Sequence, residues 1–369
     1  MKTVQQQYEV GRHPDLPPPL VERGVVKWVR DNFFSDATSI VLTAVALYFL
    51  YKVVPPFVEW AFVDAVWNAD HRNECRARGE GACWAVLRAR IAQFTYGYYP
   101  AHLYWRVNTA FVLLFVALAP LLFEHVPGRR YLLWFSLAYP VLAFFLLWGG
   151  LGLEPVESAK FGGFLLTIVI GVTGIVGSLP LGILLALGRR SRLLIVHTIS
   201  MVFIEFVRGV PLITLLFIAS TLLNYFLPPG TYFDLLLRVL IMVTLFASAY
   251  LAEVIRGGLA GIPKGQFEAA DSLGLGYWKS MRLIILPQAL HISIPNIVNT
   301  FISLYKDTTL VVIVGLADPL GISRATLADS KWQGLSTEIY IAIAVFFFVS
   351  CFAMSRYSLY LEKKLHTGH

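Results

Sequence analysis

Eight stretches of this chain stay apolar for about 20 residues each, and that repetition fixes the solvent in which it can fold. They are Ala37–Val58, Val107–Phe123, Tyr131–Leu151, Phe161–Leu187, Val210–Leu227, Leu235–Ile255, Ile292–Val314 and Ile339–Ser355. Each is long enough for a helix to cross the hydrocarbon core of a bilayer. Lipid offers no hydrogen bonds, so a spanning segment must satisfy its own backbone, as a helix does. Composition agrees: 57% of the 369 residues are hydrophobic, 14% are charged, and mean hydropathy is +0.66. A soluble domain carries about 25% charged residues. The chain reads as all-α, a polytopic membrane protein of about eight transmembrane helices. Its first apolar run starts too far from Met1 for an ordinary cleaved signal peptide, so that span is expected to be retained.

A net charge of +7 would suggest nucleic acid as a partner of a soluble protein. No nucleic-acid motif accompanies it, so none is expected as a partner. In membrane proteins, basic residues gather in cytoplasmic loops. Arg23, Lys27 and Arg30 precede the first span, and Arg129 and Arg130 separate the second from the third. Arg189, Arg190 and Arg192 follow the fourth, Arg256, Lys264, Lys279 and Arg282 follow the sixth, and Lys363 and Lys364 end the chain. In an eight-span arrangement all fall on one side, which puts both termini in the cytoplasm. Loop 59–104 departs from the pattern. It is external by count, yet it holds Arg72, Arg76, Arg78, Arg88 and Arg90, with Arg106 nearby, nearly balanced by Glu59, Asp64, Asp70, Glu74 and Glu80. Within it, Ala61–Trp67 is expected to lie along the interface. The chain divides into a cytoplasmic tail (1–36), a three-helix extension (37–156), a five-span domain (157–361) with a large cytoplasmic loop at 257–290, and a short cytoplasmic tail (362–369).

Cys351 lies in the last apolar run and reads as packing. Cys75 and Cys83 sit eight residues apart in the polar loop. They are a disulfide if that loop faces an oxidising compartment and two free thiols if it does not. His71, His102, His125, His197 and His291 lack metal-ligand spacing, which disfavours a membrane metalloenzyme. No Gly-x-x-x-x-Gly-Lys-Ser/Thr run is present, so this chain is expected to bind no nucleotide.

Three patterns carry information about function. In the fourth span, Gly163, Thr167 and Gly171, then Gly174, Ser178 and Gly182, recur every four residues, a spacing that lets helices approach closely in lipid. The run Glu-x-x-Arg-Gly occurs at Glu205–Arg208 and again at Glu253–Arg256. Each pair shares a helix face and is expected to neutralise itself at the cytoplasmic boundary. Lys306, Asp307, Thr308 and Thr309 place charge and hydroxyls in the seventh span, as a polar pathway for a charged or zwitterionic solute or as a break in the helix. The loop after the sixth span is the sharpest signal. Gln266–Ser272 favours a helix that ends at Gly274 and Gly276, and Tyr277–Leu286 a second that stops at Pro287. The result is an elbow presenting Ala269, Ala270 and Leu273 beside Glu268 and Asp271, suited to fit a socket on another protein.

Glu268-Ala269-Ala270, three residues, Gly274, nine residues, Ile284, one residue and Leu286-Pro287 resemble the coupling-loop signature of type I ATP-binding-cassette importer permeases. Phe203–Leu212, Ala249–Gly258, Ile262–Gly265 and Phe301–Leu310 resemble their polar-amino-acid branch, and the likeness covers about residues 160–361. The N-terminal extension, Gly81–Trp84 and Met354–His369 are similar to the second permease of bacterial general L-amino-acid transporters. The resemblance implies a non-catalytic inner-membrane subunit, with a five-helix core, forming half of a pathway for L-amino acids. It implies a cytoplasmic ATPase dimer that binds ATP and Mg, a second homologous permease and a periplasmic amino-acid-binding protein. An ion-coupled secondary transporter is the alternative; it would show inverted repeats, and no clear repeat is present.

Overall fold

The computed structural model describes residues 24–366, apart from 124, 223, 224, 226, 227 and 229–232. The tail before Gly24, with Arg23, and the last three residues lie outside the described residues, as does part of the expected fifth span. The described residues form helices and isolated backbone bridges, with no strand among them. Among the described residues, seven helices are long and apolar enough to cross a membrane, or eight when one bent pair is counted as a span.

The chain separates into two compact units. The first, residues 1–66 and 76–82, contains α1 (Gly24–Phe33) and α2 (Ala37–Val58). Asp36 caps α2 by accepting the Ser39 amide at 2.6 Å. Pro55 and Pro56 lie inside α2, and the helix runs on into a wider π turn, Glu59–Val63. The expected interfacial segment Ala61–Trp67 is therefore corrected: its first residues are the last turn of the span.

The second unit, residues 67–75 and 83–369, holds the remaining spans: α5 (Tyr104–Leu122), α6 (Arg129–Trp148), α7 (Gly163–Arg189), α10 (Leu235–Ala260), α13 (Leu286–Asp307) and α15 (Ser336–His366). Val107 and Ala110 of α5 and Leu147 of α6 share one buried cluster with Leu165, Leu166 and Val239. At its centre α7 packs along α10. A Cβ at Gly182 would sit 2.8 Å from Leu251 Cβ, and one at Gly174 would sit 3.0 Å from Leu304 Cδ2. The small-residue stripe thus brings two backbones together, as its spacing predicts.

Two expected elements are redrawn. The fifth span is not a continuous helix over Val210–Leu227. An unexpected helix, α8 (Leu194–Gly209), precedes it, and α9 (Leu212–Thr221) turns away by 104°. Val210 is extended and Pro211 follows it, because a residue before proline avoids the helical region. The second elbow helix does not stop at Pro287. α12 (Tyr277–Ser280) passes through a π turn, Met281–Ile285, into α13. Pro287 sits in the first turn of α13, directly after the π turn. The whole run Tyr277–Val314 is one span of 38 residues.

Between α13 and α15, α14 (Pro319–Ala328) packs on α7 and on α4 (Ala85–Tyr96). Cys75, on α3 (Arg72–Arg78), is disulfide-bonded to Cys83 across a Cα separation of 5.8 Å. The Cys83 amide donates to Glu338 of α15 at 3.3 Å, the Arg72 amide donates to the Lys331 carbonyl at 2.8 Å, and Arg90 pairs with Asp329.

Candidate functional site

The elbow begins with α11 (Lys264–Ser272). The Gly274 amide donates to the Asp271 carbonyl at 2.9 Å and the Leu275 amide to the Ala270 carbonyl at 3.2 Å. This is a Schellman ending, which needs a left-handed residue, and Gly274 supplies it at φ +69°. Gln288 donates to Gln266 at 3.2 Å and so ties α13 back to α11. Arg190, beside the end of α7, stacks 5.8 Å over Phe267. Glu268, Ala269 and Leu273 are exposed, as are Tyr277 and Trp278. Ala270 is not: it is fully buried, so its small side chain lets α11 approach its own bundle rather than an outside surface. Ile284 and Leu286 are half-buried, and Pro287 is exposed.

Directly behind the elbow lies a charge network that redraws the expected ion pairs. Glu253 and Arg256 pair within α10 at 2.9 Å. Glu205 and Arg208 do not pair with each other: Glu205 takes Arg189 at 2.7 Å, and Arg208 reaches Glu253 at 3.6 Å. Arg189 also donates to Glu253 at 2.6 Å. Three arginines from α7, α8 and α10 thus converge on one carboxylate that is 15% exposed. Sequence spacing found the Glu253–Arg256 pair, misassigned Glu205 and Arg208 to each other, and missed Arg189, which is distant in sequence. The Arg189 carbonyl is in turn 2.7 Å from His197 Nδ1 of α8.

The Arg208 guanidinium lies 5.5 Å over the ring of Tyr250, and Tyr250 borders an open cavity of about 410 Å³ between α10 and α13. Phe246, Ala247, Tyr250 and Val254 form the α10 wall; Asn296, Asn299, Thr300, Ser303, Leu304 and Asp307 form the other. Of the four residues expected to form a pathway, only Asp307 borders this cavity. Lys306 is exposed away from it, Thr308 is buried with its hydroxyl on the Tyr305 carbonyl at 2.8 Å, and Thr309 bonds the Lys306 carbonyl at 2.9 Å. The α-helix gives way to a 3-10 turn at Thr308, so the Lys-Asp-Thr-Thr run both ends a helix and contributes one carboxylate. The polar wall had a signal in the sequence: Asn296, Asn299, Thr300, Ser303 and Asp307 follow helical spacing on one face.

A family model described as "Binding-protein-dependent transport system inner membrane component" matches residues 178–367, a stretch that holds the elbow, the network and the cavity. The chain belongs to that family. The glutamate/glutamine/aspartate/asparagine transport system permease protein BztC of Rhodobacter capsulatus is 49% identical, over 96% of each chain. The inner membrane amino-acid ABC transporter permease protein YhdY of Escherichia coli is 47% identical, over 96% of this chain and 97% of its own. The probable amino-acid ABC transporter permease protein YckA of Bacillus subtilis is 32% identical over 54% of this chain and 85% of its own. As a member of the binding-protein-dependent family, the chain is a permease subunit of an ATP-binding-cassette importer and not the catalytic one. Nucleotide in such importers is bound by the partner ATPase. Family membership also displaces the ion-coupled alternative.

Proposed function

We propose that this permease carries L-amino acids across the bacterial inner membrane, with both termini and the elbow in the cytoplasm and a second homologous permease completing the pathway. α11 docks on the ATPase dimer, where ATP and Mg bind, and a periplasmic amino-acid-binding protein delivers solute from the other side. The observation that carries this reading is the build of the elbow. Its inner face is locked by Ala270 and the Schellman ending, while Leu273 and Trp278 stand 72% and 69% exposed. A stiff element with large apolar side chains in water is suited to bind a partner, and an importer must pass force through such a contact.

The substrate reading rests on the cavity. The Asn296 and Asn299 amides both donate and accept hydrogen bonds, which suits the carboxylates and amides of polar amino acids. Asp307 supplies the one carboxylate for an α-ammonium group. The names of the two full-length relatives, both amino-acid permeases, support the same class.

The test is uptake by the reconstituted complex. Glu268→Arg and Gly274→Val are expected to abolish ATP-driven amino-acid uptake while the chain still inserts. Valine is strained at a positive φ, whereas asparagine tolerates it; Gly274→Asn should therefore retain more uptake than Gly274→Val. Full uptake by Glu268→Arg, with normal ATPase association, would remove the coupling assignment.

A further inference from the structure

Among the described residues, none covers the apolar face of α1. Val25 is 76% exposed and Trp28 58% exposed, and no residue of the helix is buried. At about 100° per residue, Trp28, Val25, Val29, Phe33 and Val26 fall within one arc of roughly 160°, interrupted only by Asn32, whose amide donates to the Trp28 carbonyl at 2.7 Å. Lys27, Arg30 and Asp31 lie outside it. A surface helix of a soluble assembly would bury such a stripe against its own core; this one presents it to its surroundings.

What surrounds it follows from where it is tethered. Only three residues separate Phe33 from Ala37, where a 27-residue apolar span begins. Hydrogen bonds fix the junction. The Phe34 amide donates to the Arg30 carbonyl at 2.9 Å, and the Thr43 hydroxyl of α2 donates to the Phe33 carbonyl at 3.0 Å. The Ser35 hydroxyl donates to that of Ser39 at 3.2 Å, and Asp36 caps α2. The end of α1 is thereby bound to the opening turns of a membrane-crossing helix, at the depth where water gives way to lipid.

We propose that α1 is an in-plane anchor, its Val25, Trp28, Val29 and Phe33 face covered by lipid at the boundary between headgroups and acyl chains. Lys27 and Arg30 project to the level of the phosphates. Among the described residues Arg30 is engaged through Nε alone, by Asp31 at 3.3 Å, which leaves its other donors for them. An amphipathic helix with an aromatic on the apolar side and basic residues on the polar side is built for that layer, and the membrane that α2 enters supplies it.

The experiment uses the assembled complex in phosphatidylglycerol-containing nanodiscs, with Cys351→Ser removing the free thiol. Spin labels are placed one at a time through Val25→Cys, Val29→Cys, Lys27→Cys and Asp31→Cys, with Leu47→Cys in α2 as the reference for a site inside the bilayer. Collision with oxygen, which partitions into lipid, is compared with collision with a water-soluble nickel chelate. The oxygen-to-nickel ratio is expected to be severalfold higher at 25 and 29 than at 27 and 31, and to approach that at 47. Equal nickel access at all four positions would place the helix in water and overturn the proposal. Low collision with both reagents at 25 and 29 would mean that another subunit covers the face, and would overturn it equally. Position 47 reports separately on whether α2 is in the membrane.

Discussion

Glu253 and Glu205 show how position decides what a carboxylate contributes. Glu253 is 15% exposed and receives Arg189, Arg208 and Arg256, while Glu205 is 56% exposed and receives Arg189 alone. Glu253→Gln would leave three guanidinium groups facing an amide in a half-buried site, and should cost roughly 2 kcal/mol of stability. Glu205→Gln should cost under about 1 kcal/mol, because water already screens that pair. Thermal unfolding of the two variants in nanodiscs would check the contrast. Asp318 gives a pH-dependent case. It caps α14 through Oδ1, which accepts the Gly321 amide at 2.9 Å, while Oδ2 is buried with no partner among the described residues. Burial pushes its carboxyl up to about 6 from an ordinary 3.8. The folded protein therefore holds a proton that the unfolded chain releases between those values. Stability falls as pH rises through that window, and the full cost, on the order of 2–3 kcal/mol as an upper bound, is present above about pH 6. Asp318→Asn keeps the cap without the charge. It should unfold at a higher temperature than the parent at pH 7 and lose that advantage near pH 4.

At the scale of elements, the small residues of α7 make a graded prediction. Gly182 lies against the α10 backbone, whereas a Cβ at Gly171 would meet only Tyr305 at 3.7 Å. Gly182→Leu should force the two helices apart and cost about 1–3 kcal/mol or more, and Gly171→Ala should be close to neutral; unfolding midpoints would separate them. This packing was legible because it is written in local periodicity, and so were the spans and the Gly274 ending of α11. The break at Pro211 carried a local signal, yet α8 went unseen because Glu205, Arg208 and His197 interrupt its apolar run. The continuity through Pro287 was hidden for the opposite reason. Proline ordinarily ends a helix, and only a preceding π turn reconciles it with an unbroken span. Arg189 and Tyr250 meet partners far away in sequence, so no window along the chain could have joined them to those partners. The same holds for Arg106, wholly buried in α5, whose guanidinium donates to the carbonyls of Leu146 and Glu154 at 2.5 and 2.8 Å.

For the whole molecule, the bent pair α8–α9 decides parity. If the pair crosses the membrane once, the chain has eight crossings and its ends share a compartment; if it does not, they are opposed. Protease accessibility of tags at the two termini is expected to show both on the cytoplasmic side. Non-reducing peptide mapping is expected to recover Cys75 linked to Cys83 and Cys351 open to alkylation. Closing so short a loop should contribute about 2–3 kcal/mol, visible as a lower unfolding midpoint after reduction. The 38-residue run from Tyr277 to Val314 has a mechanical consequence. At about 1.5 Å per residue, the shaft between the π turn and Asp307 is roughly 33 Å long. Tilting it about 5° at the foot would carry the far end sideways by about 3 Å, enough to widen or pinch off a passage the width of a small solute. One crank handle, turned in water, would thereby reshape a wall deep inside the lipid without any helix having to unwind.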